Sequence, residues 1–521
     1  MARGKRVVVV GGGVGGLSAA VRLAHGGAAV TLVEKNPQVG GKLNLWDVEH
    51  PHRPGERFKF DTGPSLITLP QVFEQLFTSV GERMSDHLKL LRLDPIQKYV
   101  WADGTVLEAW ADQEAMEREV ARISPGDVAG WRAFFERGRR IWELSAEMFL
   151  WHAPEQLLRK KDEPFDPRKA LSMLTIPLRI GMFQRFSAVV DKHVKHPKLR
   201  EVLYQYATYS GASPFLAPAT LAVIPYAEFG FGGWYIDGGL YRLAEVLERL
   251  TVARGGVVRK GEAVGEVLVE PDGKGRGRVR GVRLAGGEEL AADAVVVNAD
   301  VVYAYERLIP SRWRRRYSDR VLRKLEPGGS GMVLLLGVEG RYEQLAHHTK
   351  FMPADYASDL RAMFETKTVP DDPCIYVCCS TKTDASQAPA GCENLFVLCS
   401  APALEGHGPD WTTEGPRYRD QVVRTLEHRF GLTDLSRRIV VEKRYTPADL
   451  KRDYNANAGA IYGIGSNSRR TAFLRPPNRD RDVRGLYFAG GATHPGGGLP
   501  LVTLSGKIAA EMVGEDLHKA G

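Results

Sequence analysis

The sequence predicts an α/β fold: a parallel sheet with helices on its faces, assembled from separated stretches of the chain, with an α+β second domain interleaved between them. Three observations predict it. Four consecutive valines at 7–10 lead through a glycine turn into a helix near the start. A second apolar run at 294–297 has the composition of a strand covered on both faces in the same kind of sheet. The C-terminal end repeats the order, a short apolar strand meeting Gly490 and Gly491 before a helix over 503–513.

The N-terminal stretch organises the rest. Residues 7–10 read as a buried parallel strand and 17–24 as the helix that follows it. Gly11, Gly13 and Gly16 fill a G-x-G-x-x-G spacing: one for the tight turn, one so that backbone can approach a pyrophosphate, one for close packing of helix on strand. The pyrophosphate then sits on the helix N-terminus, where unpaired N–H groups and the helix dipole favour an anion. A second strand at 28–33 ends in Glu34, 18 residues after Gly16. An acid at that distance accepts hydrogen bonds from the adenosine ribose hydroxyls and repels a 2′-phosphate. Strand, spacing and acid together read as a Rossmann-type domain for a dinucleotide other than NADP.

Composition bounds the remainder. A chain of 521 residues has room for roughly three domains, and 43% hydrophobic with 26% charged residues is globular with ample core. The five cysteines, Cys374, Cys378, Cys379, Cys392 and Cys399, show no C-x-x-C pair, and an odd number with two adjacent argues against a disulfide framework. No metal site is expected, because 374–380 reads as a buried strand. The run at 7–10 is too short for a signal peptide or a membrane span, and no stretch of 18 apolar residues occurs, so a transmembrane chain is not expected. A net charge of +8 is compatible with nucleic acid or anionic lipid and chooses neither.

Along the middle of the chain, 73–92 and 112–149 read as helical and mixed segments broken at Ser124-Pro125-Gly126-Asp127. Between them, 99–106 reads as a hairpin on an Asp-Gly turn. From 157 to 200, eleven Lys and Arg residues, from Arg159 to Arg200, interleave with Leu171, Ile176, Leu178, Phe183 and Phe186 among other apolar residues. Basic heads around an apolar face suit a helix lying on an anionic bilayer, and equally a solvated helix with an ordinary core face. No exposed module of basic and stacking aromatic residues marks a nucleic-acid partner.

Four further motifs carry a resemblance. Lys35-Asn36-Pro37-Gln38-Val39-Gly40-Gly41-Lys42 follows the ribose-binding acid, and Phe58-Lys59-Phe60-Asp61-Thr62-Gly63-Pro64-Ser65 follows that. Gly232-Gly233-Trp234-Tyr235-Ile236-Asp237-Gly238-Gly239 closes an apolar, Pro-punctuated block. Ala492-Thr493-His494-Pro495-Gly496-Gly497-Gly498-Leu499-Pro500 precedes the last helix. Together these resemble the bacterial carotenoid (phytoene-type) desaturase family of the FAD-dependent amine oxidase superfamily.

The resemblance implies bound FAD. Gly11, Gly13, Gly16, Glu34, Lys35, Gly41, Lys42, Gly63, Pro64, Ser65, Val264, Gly490, Gly491, Leu501 and Val502 are the implied cofactor-binding residues, with Val264 where the family's backbone pairs with adenine. It implies hydride transfer from one carbon of a C–C unit to the flavin while the neighbouring carbon loses a proton, and it assigns no catalytic acid or base. His494 either orients the flavin, shuttles a proton or bonds to nearby backbone, and Asp237 is equally open. Phytoene desaturation is the implied reaction. The Gly496-Gly497-Gly498 and Leu504-Ser505-Gly506-Lys507 segments also resemble 1-hydroxycarotenoid 3,4-desaturases, carotenoid cis-trans isomerases share the former, and non-catalytic prenyl-lipid binders share the fold.

Further expectations follow from such a substrate. At about 0.8 kcal/mol per buried CH₂, a carotenoid is effectively absent from water and must be taken from lipid. The expectation is therefore an apolar tunnel with few polar residues, opening at a membrane-touching face, in a protein on the cytoplasmic side of the cell membrane with quinone or oxygen as electron acceptor. The implied layout is an FAD-binding domain in segments 1–90, 236–305 and 481–521, interleaved with a substrate domain in segments 91–235 and 306–480.

Overall fold

The computed structural model describes residues 3–157, 175–406 and 408–519. Its first sheet has five parallel strands in the order Leu486–Phe488, Ala294–Val297, Arg6–Val10, Ala29–Glu34 and Val257–Lys260. Val7 to Val10 and Ala294 to Val297 are buried, as a strand covered on both faces requires. On one face lie the N-terminal helix Val14–His25, the helix Arg242–Ala253 and the C-terminal helix Leu499–Lys519. On the other lies an antiparallel layer built from Val264–Pro271, Gly277–Leu284 and Glu289–Ala291, with Val483–Arg484 added in parallel.

Two helices begin earlier than the sequence suggests, and for one reason. The N-terminal helix starts at Val14 and takes Gly15 and Gly16 into its first turn. The C-terminal helix starts at Leu499 with Pro500 in its first turn, a position where proline's missing N–H costs nothing. Glycine is a poor helix former, but here it buys proximity: a Cβ on Gly506 would stand 2.2 Å from Gly15 O, and one on Gly16 would stand 2.1 Å from Gly11 O. Ser18 Oγ bonds Thr503 O at 2.6 Å across this crossing.

The second sheet has seven strands in the order Ile439–Tyr445, Ser330–Glu339, Cys392–Ala401, Ile375–Cys378, His348–Phe351, Gln97–Val100 and Val106–Ala109. The expected hairpin forms its edge, joined to His348–Phe351 in parallel. The helix Trp411–His428 covers one face through Trp411, Tyr418, Val422 and Leu426. It starts at Trp411 because Asp410 caps it, accepting from Thr412 N. The opposite face looks back toward the first sheet across a cavity. The strand Gly233–Ile236 pairs with Leu90–Leu93 at the junction between the two sheets.

Five of the basic residues read as a membrane face (Arg159, Lys160, Lys161, Arg168 and Lys169), with Leu171, Met173 and Leu174, lie outside the described residues. Of the described part, Ile176, Ile180 and Phe186 are core, whereas Leu178 and Phe183 are 69% and 56% exposed. No helix among the described residues is long and apolar enough to cross a membrane.

Candidate active site

A cavity of about 680 Å³ runs between the two sheets. At one end the first strand stops and the chain turns through Gly11, whose φ of +96° is left-handed and open to glycine. Gly13 precedes the N-terminal helix without a side-chain cap, and no acid stands in the first turn of this helix or of the C-terminal one. Both first turns line the cavity, through Val14 and Gly15 and through Leu499, Pro500 and Leu501. Two uncompensated positive helix ends therefore face one space.

Asn298 locks this pole. It follows the strand Ala294–Val297, takes its own N–H to Val10 O at 2.7 Å, and donates from Nδ2 to Gly11 O at 3.2 Å. A Cβ on Gly13, Gly15 or Gly490 would fall within 3 Å of its side chain. Sequence reasoning left Asn298 out of the site, although its place at the end of a valine strand parallel to the first was a usable signal.

At the ribose side Glu34 is buried and accepts from Gly12 N at 2.7 Å and Asn36 N at 2.8 Å, one bond on each oxygen. Each oxygen keeps a free lone pair at the cavity wall. Gly40 N bonds Gly12 O at 2.7 Å and brings the Gly40-Gly41-Lys42 loop over the first turn. Val264 closes this end.

All the expected cofactor-binding residues line the cavity except Gly16, which packs beneath Gly11. Two lysines are committed elsewhere than to an anion. Lys35 Nζ bonds Arg452 O and Asn455 Oδ1, and Lys42 Nζ bonds Ala460 O and Ile461 O. Burial lowers the Lys42 ammonium to about 8, against the pull of Asp300. These residues fit FAD: a glycine cradle too tight for any Cβ, two helix N-termini for a pyrophosphate, and an acceptor carboxylate for a ribose.

His494 and Asp237 lie outside the cavity lining. His494 Nε2 bonds His152 O at 3.0 Å, so its partner is backbone remote in sequence, not the nearby turn. Burial lowers its imidazole to about 4. Asp237 pairs with Lys89 at 3.2 Å on the surface. Asp61 ties the two halves together, accepting from Tyr235 OH, Leu240 N and Tyr241 N at 3.0 Å each, with burial raising it to about 6.

Away from the glycine pole the cavity overturns the expectation of few polar residues. Glu228, Lys350, His348, Tyr209 and Tyr376 all line it. Glu228 and Lys350 are buried, and Lys350 Nζ donates to Gln205 Oε1, which in turn is fixed by Gln205 Nε2 on Tyr99 OH at 2.9 Å. Burial raises Glu228 above the usual carboxylate range, opposed by Tyr206, Tyr209 and Lys350, and burial lowers Lys350. Tyr376 OH bridges Ser65 Oγ at 2.6 Å and His348 Nδ1 at 2.7 Å. Around them Val333, Phe396 and Leu398 form an apolar floor. An acid after Ile224-Pro225-Tyr226-Ala227 was visible in the sequence. What it would face was not.

The five cysteines are buried and free, but Cys378 stands with His347 and His348 in a group whose donor atoms lie within 4.8 Å of one another.

Comparison with known proteins agrees with this geometry. The family model for flavin containing amine oxidoreductases matches residues 14–514. A 4,4'-diapolycopene oxygenase of Methylomonas sp is 37% identical over 518 residues, covering 99% of both chains. A 4,4'-diaponeurosporene oxygenase of Staphylococcus aureus strain Mu50 is 33% identical over 509 residues, covering 98% of both. The crystal structure of an oxidoreductase from Methanosarcina mazei shares the fold, with a TM-score of 0.62 at 16% identity over 97% of this chain and 100% of that one. The chain belongs to the flavin containing amine oxidoreductase family and is an FAD-dependent oxidoreductase.

Proposed function

We propose that the protein modifies an acyclic carotenoid and oxidises it at one end; its relatives are named as oxygenases of 4,4'-diapolycopene and 4,4'-diaponeurosporene. The observation that carries this reading is that Glu228 and Lys350 are both buried at the cavity wall, beside an apolar floor. A hydrocarbon gives such groups no partner, and leaving them unpaired is costly. An oxygen-bearing chain end gives them one. Oxidising a terminal methyl to an aldehyde with dioxygen removes two hydrogens from carbon, inserts one oxygen atom there and releases the other as water. Bound FAD supplies the two-electron chemistry, and its reduced form can react with dioxygen. The chain's own residues hold the end in place: Lys350 keeps two N–H groups beyond its bond to Gln205, Glu228 Oε2 has no protein hydrogen-bond partner among the described residues, and Tyr206 and Tyr209 steady the carboxylate.

Desaturation is the second reading, favoured by the apolar floor of Val333, Phe396 and Leu398, which suits an internal CH–CH unit. Substrate entry is assigned to a membrane surface, the inner face of the cell membrane. Exposed Leu178 and Phe183, with exposed Arg179 and Arg185 beside them, offer apolar anchors among cations. Pigment analysis by mass in cells that supply an acyclic carotenoid tests the function. Gain of oxygen with loss of two hydrogens supports terminal oxidation, loss of hydrogen alone moves the assignment to desaturation, and altered geometry at constant mass rejects both in favour of isomerisation.

A further inference from the structure

Behind the polar wall of the cavity the second sheet brings three soft-metal donors together. His348 and Cys378 are directly paired across the antiparallel strands His348–Phe351 and Ile375–Cys378, so their side chains leave the same face of the sheet. His347 is the residue before that strand, and its carbonyl accepts from Cys379 N at 2.8 Å, which fixes the backbone at the strand end. All three side chains are buried, and their donor atoms lie within 4.8 Å of one another.

The hydrogen bonds around the rings allow the tautomer that a metal-binding pair needs. His347 Nδ1 stands 2.6 Å from Thr383 Oγ1, and His348 Nδ1 stands 2.7 Å from Tyr376 OH. Tyr235 packs edge-on against His347 at 4.7 Å and Tyr376 stacks on His348 at 5.7 Å. A proton on each Nδ1 satisfies these neighbours and leaves both Nε2 lone pairs bare. Each Nε2 is buried with no protein partner among the described residues. Metal-bound histidines show this arrangement, the far nitrogen held by an outer hydrogen bond that sets the tautomer and aims the other nitrogen at the ion. Without an ion, two orphaned ring nitrogens in the interior are a desolvation cost with nothing against it.

We infer that His347, His348 and Cys378 form a binding site for copper(I). Thiolate with imidazole is a soft donor set that suits copper(I) or zinc. Two features choose between them. Structural zinc is almost always four-coordinate, and among the described residues the group has three members. One thiolate with two neutral imidazoles also cancels the charge of a monovalent ion, so no net charge is buried. The metal would clamp together the two strands that carry Lys350 and Tyr376, holding the polar wall of the cavity in register.

The test uses the FAD-loaded protein under anaerobic conditions, titrated with copper(I) against a chromophoric copper(I) chelator. The wild type is expected to retain one copper per chain, with X-ray absorption showing two nitrogen donors and one sulfur. Cys378→Ser and His347→Gln should each weaken retention by at least roughly tenfold. Cys379→Ser, at a buried thiol outside the group that contacts Thr381, should bind like the wild type. Flavin absorbance per chain confirms that each variant is folded, and the absorption spectrum of the wild type decides the matter if a variant is not. The site is overturned if the wild type yields all copper to the chelator, if Cys378→Ser retains it equally, or if zinc in a four-donor shell resists replacement by copper.

Discussion

Tyr206 OH donates a 2.7 Å hydrogen bond to Glu228 Oε1, and both residues are buried beside the apolar floor of the cavity. The bond holds a carboxylate still while its second oxygen, without a protein partner, stands at a cavity wall. If that oxygen and Lys350 receive the oxidised end of the substrate, Glu228→Leu should depress the yield of oxygenated product by about 10–100-fold, the worth of a buried hydrogen bond to a charged group. Glu228→Gln, which keeps a partner for Tyr206, should recover part of it. Equal yields of oxygenated pigment from wild type and Glu228→Leu would remove the polar pair from the mechanism.

Gly15 lies where the two helix N-termini and Asn298 meet. A methyl there would stand 2.6 Å from Asn298 Oδ1, 3.1 Å from Val502 O and 3.2 Å from Gly490 N. Gly15→Ala should therefore widen the pole and cost at least about tenfold in FAD affinity, near 1.4 kcal/mol. Flavin content after gel filtration reads the effect; full retention would place the pyrophosphate elsewhere.

The crossing of the first and last helices is a separate matter, since Gly506 stands below the cofactor pole and lines no part of the cavity. Its Cβ would meet Gly15 O at 2.2 Å, with Ser18 Cβ at 2.8 Å. Gly506→Ala should destabilise the fold by about 1–3 kcal/mol through overpacking. Thermal melting of wild type and variant, each saturated with FAD, measures it, and an unchanged midpoint would mean that the helices part at no cost.

His494 gives a pH dependence with a definite sign. Its imidazole titrates near 6.5 when unfolded and at about 4 in the fold, where burial favours the neutral ring. Between those values the unfolded chain takes up a proton that folded His494 refuses. Its contribution is complete above pH 6.5 and is lost as pH falls toward 4. Asp61, raised from 3.8 to about 6, acts with the opposite sign over an overlapping range, so the comparison must be with a variant. The gap in melting temperature between wild type and His494→Asn should be widest near pH 7 and close toward pH 4. A gap independent of pH would show that the ring titrates normally.

Leu178 and Phe183 are large, exposed and apolar on a surface with Arg179 and Arg185. Replacing both by Glu should reduce sedimentation with anionic vesicles by at least roughly tenfold, from lost apolar insertion and added repulsion. Unchanged flavin content would show that the fold is intact. Undiminished vesicle binding would remove these residues from the proposed membrane contact.

Much of the architecture is written in short stretches of sequence, because the signals involved are local. Val7 to Gly16 specify strand, turn and helix within a few residues of one another, and Glu34 is one strand further on. The same locality explains what was misread. Gly15 and Gly16 look like turn residues until Gly506 is seen to pack against the first and Gly11 and Asn298 against the second, and His494 looks like a turn histidine until His152 O is found against its ring.

The sequence by itself determined the cofactor pole and the order in which segments return to the parallel sheet, since glycine spacing and buried valine runs act over distances that a reader of one strand can follow. Only the tertiary structure decided what faces the cavity beyond that pole. Glu228 comes from a helix that lines the cavity, Lys350 and His348 from one strand, and Tyr376 and Cys378 from its antiparallel neighbour. Strand register places these groups side by side, and register is a pairing between distant segments that neither strand's composition specifies.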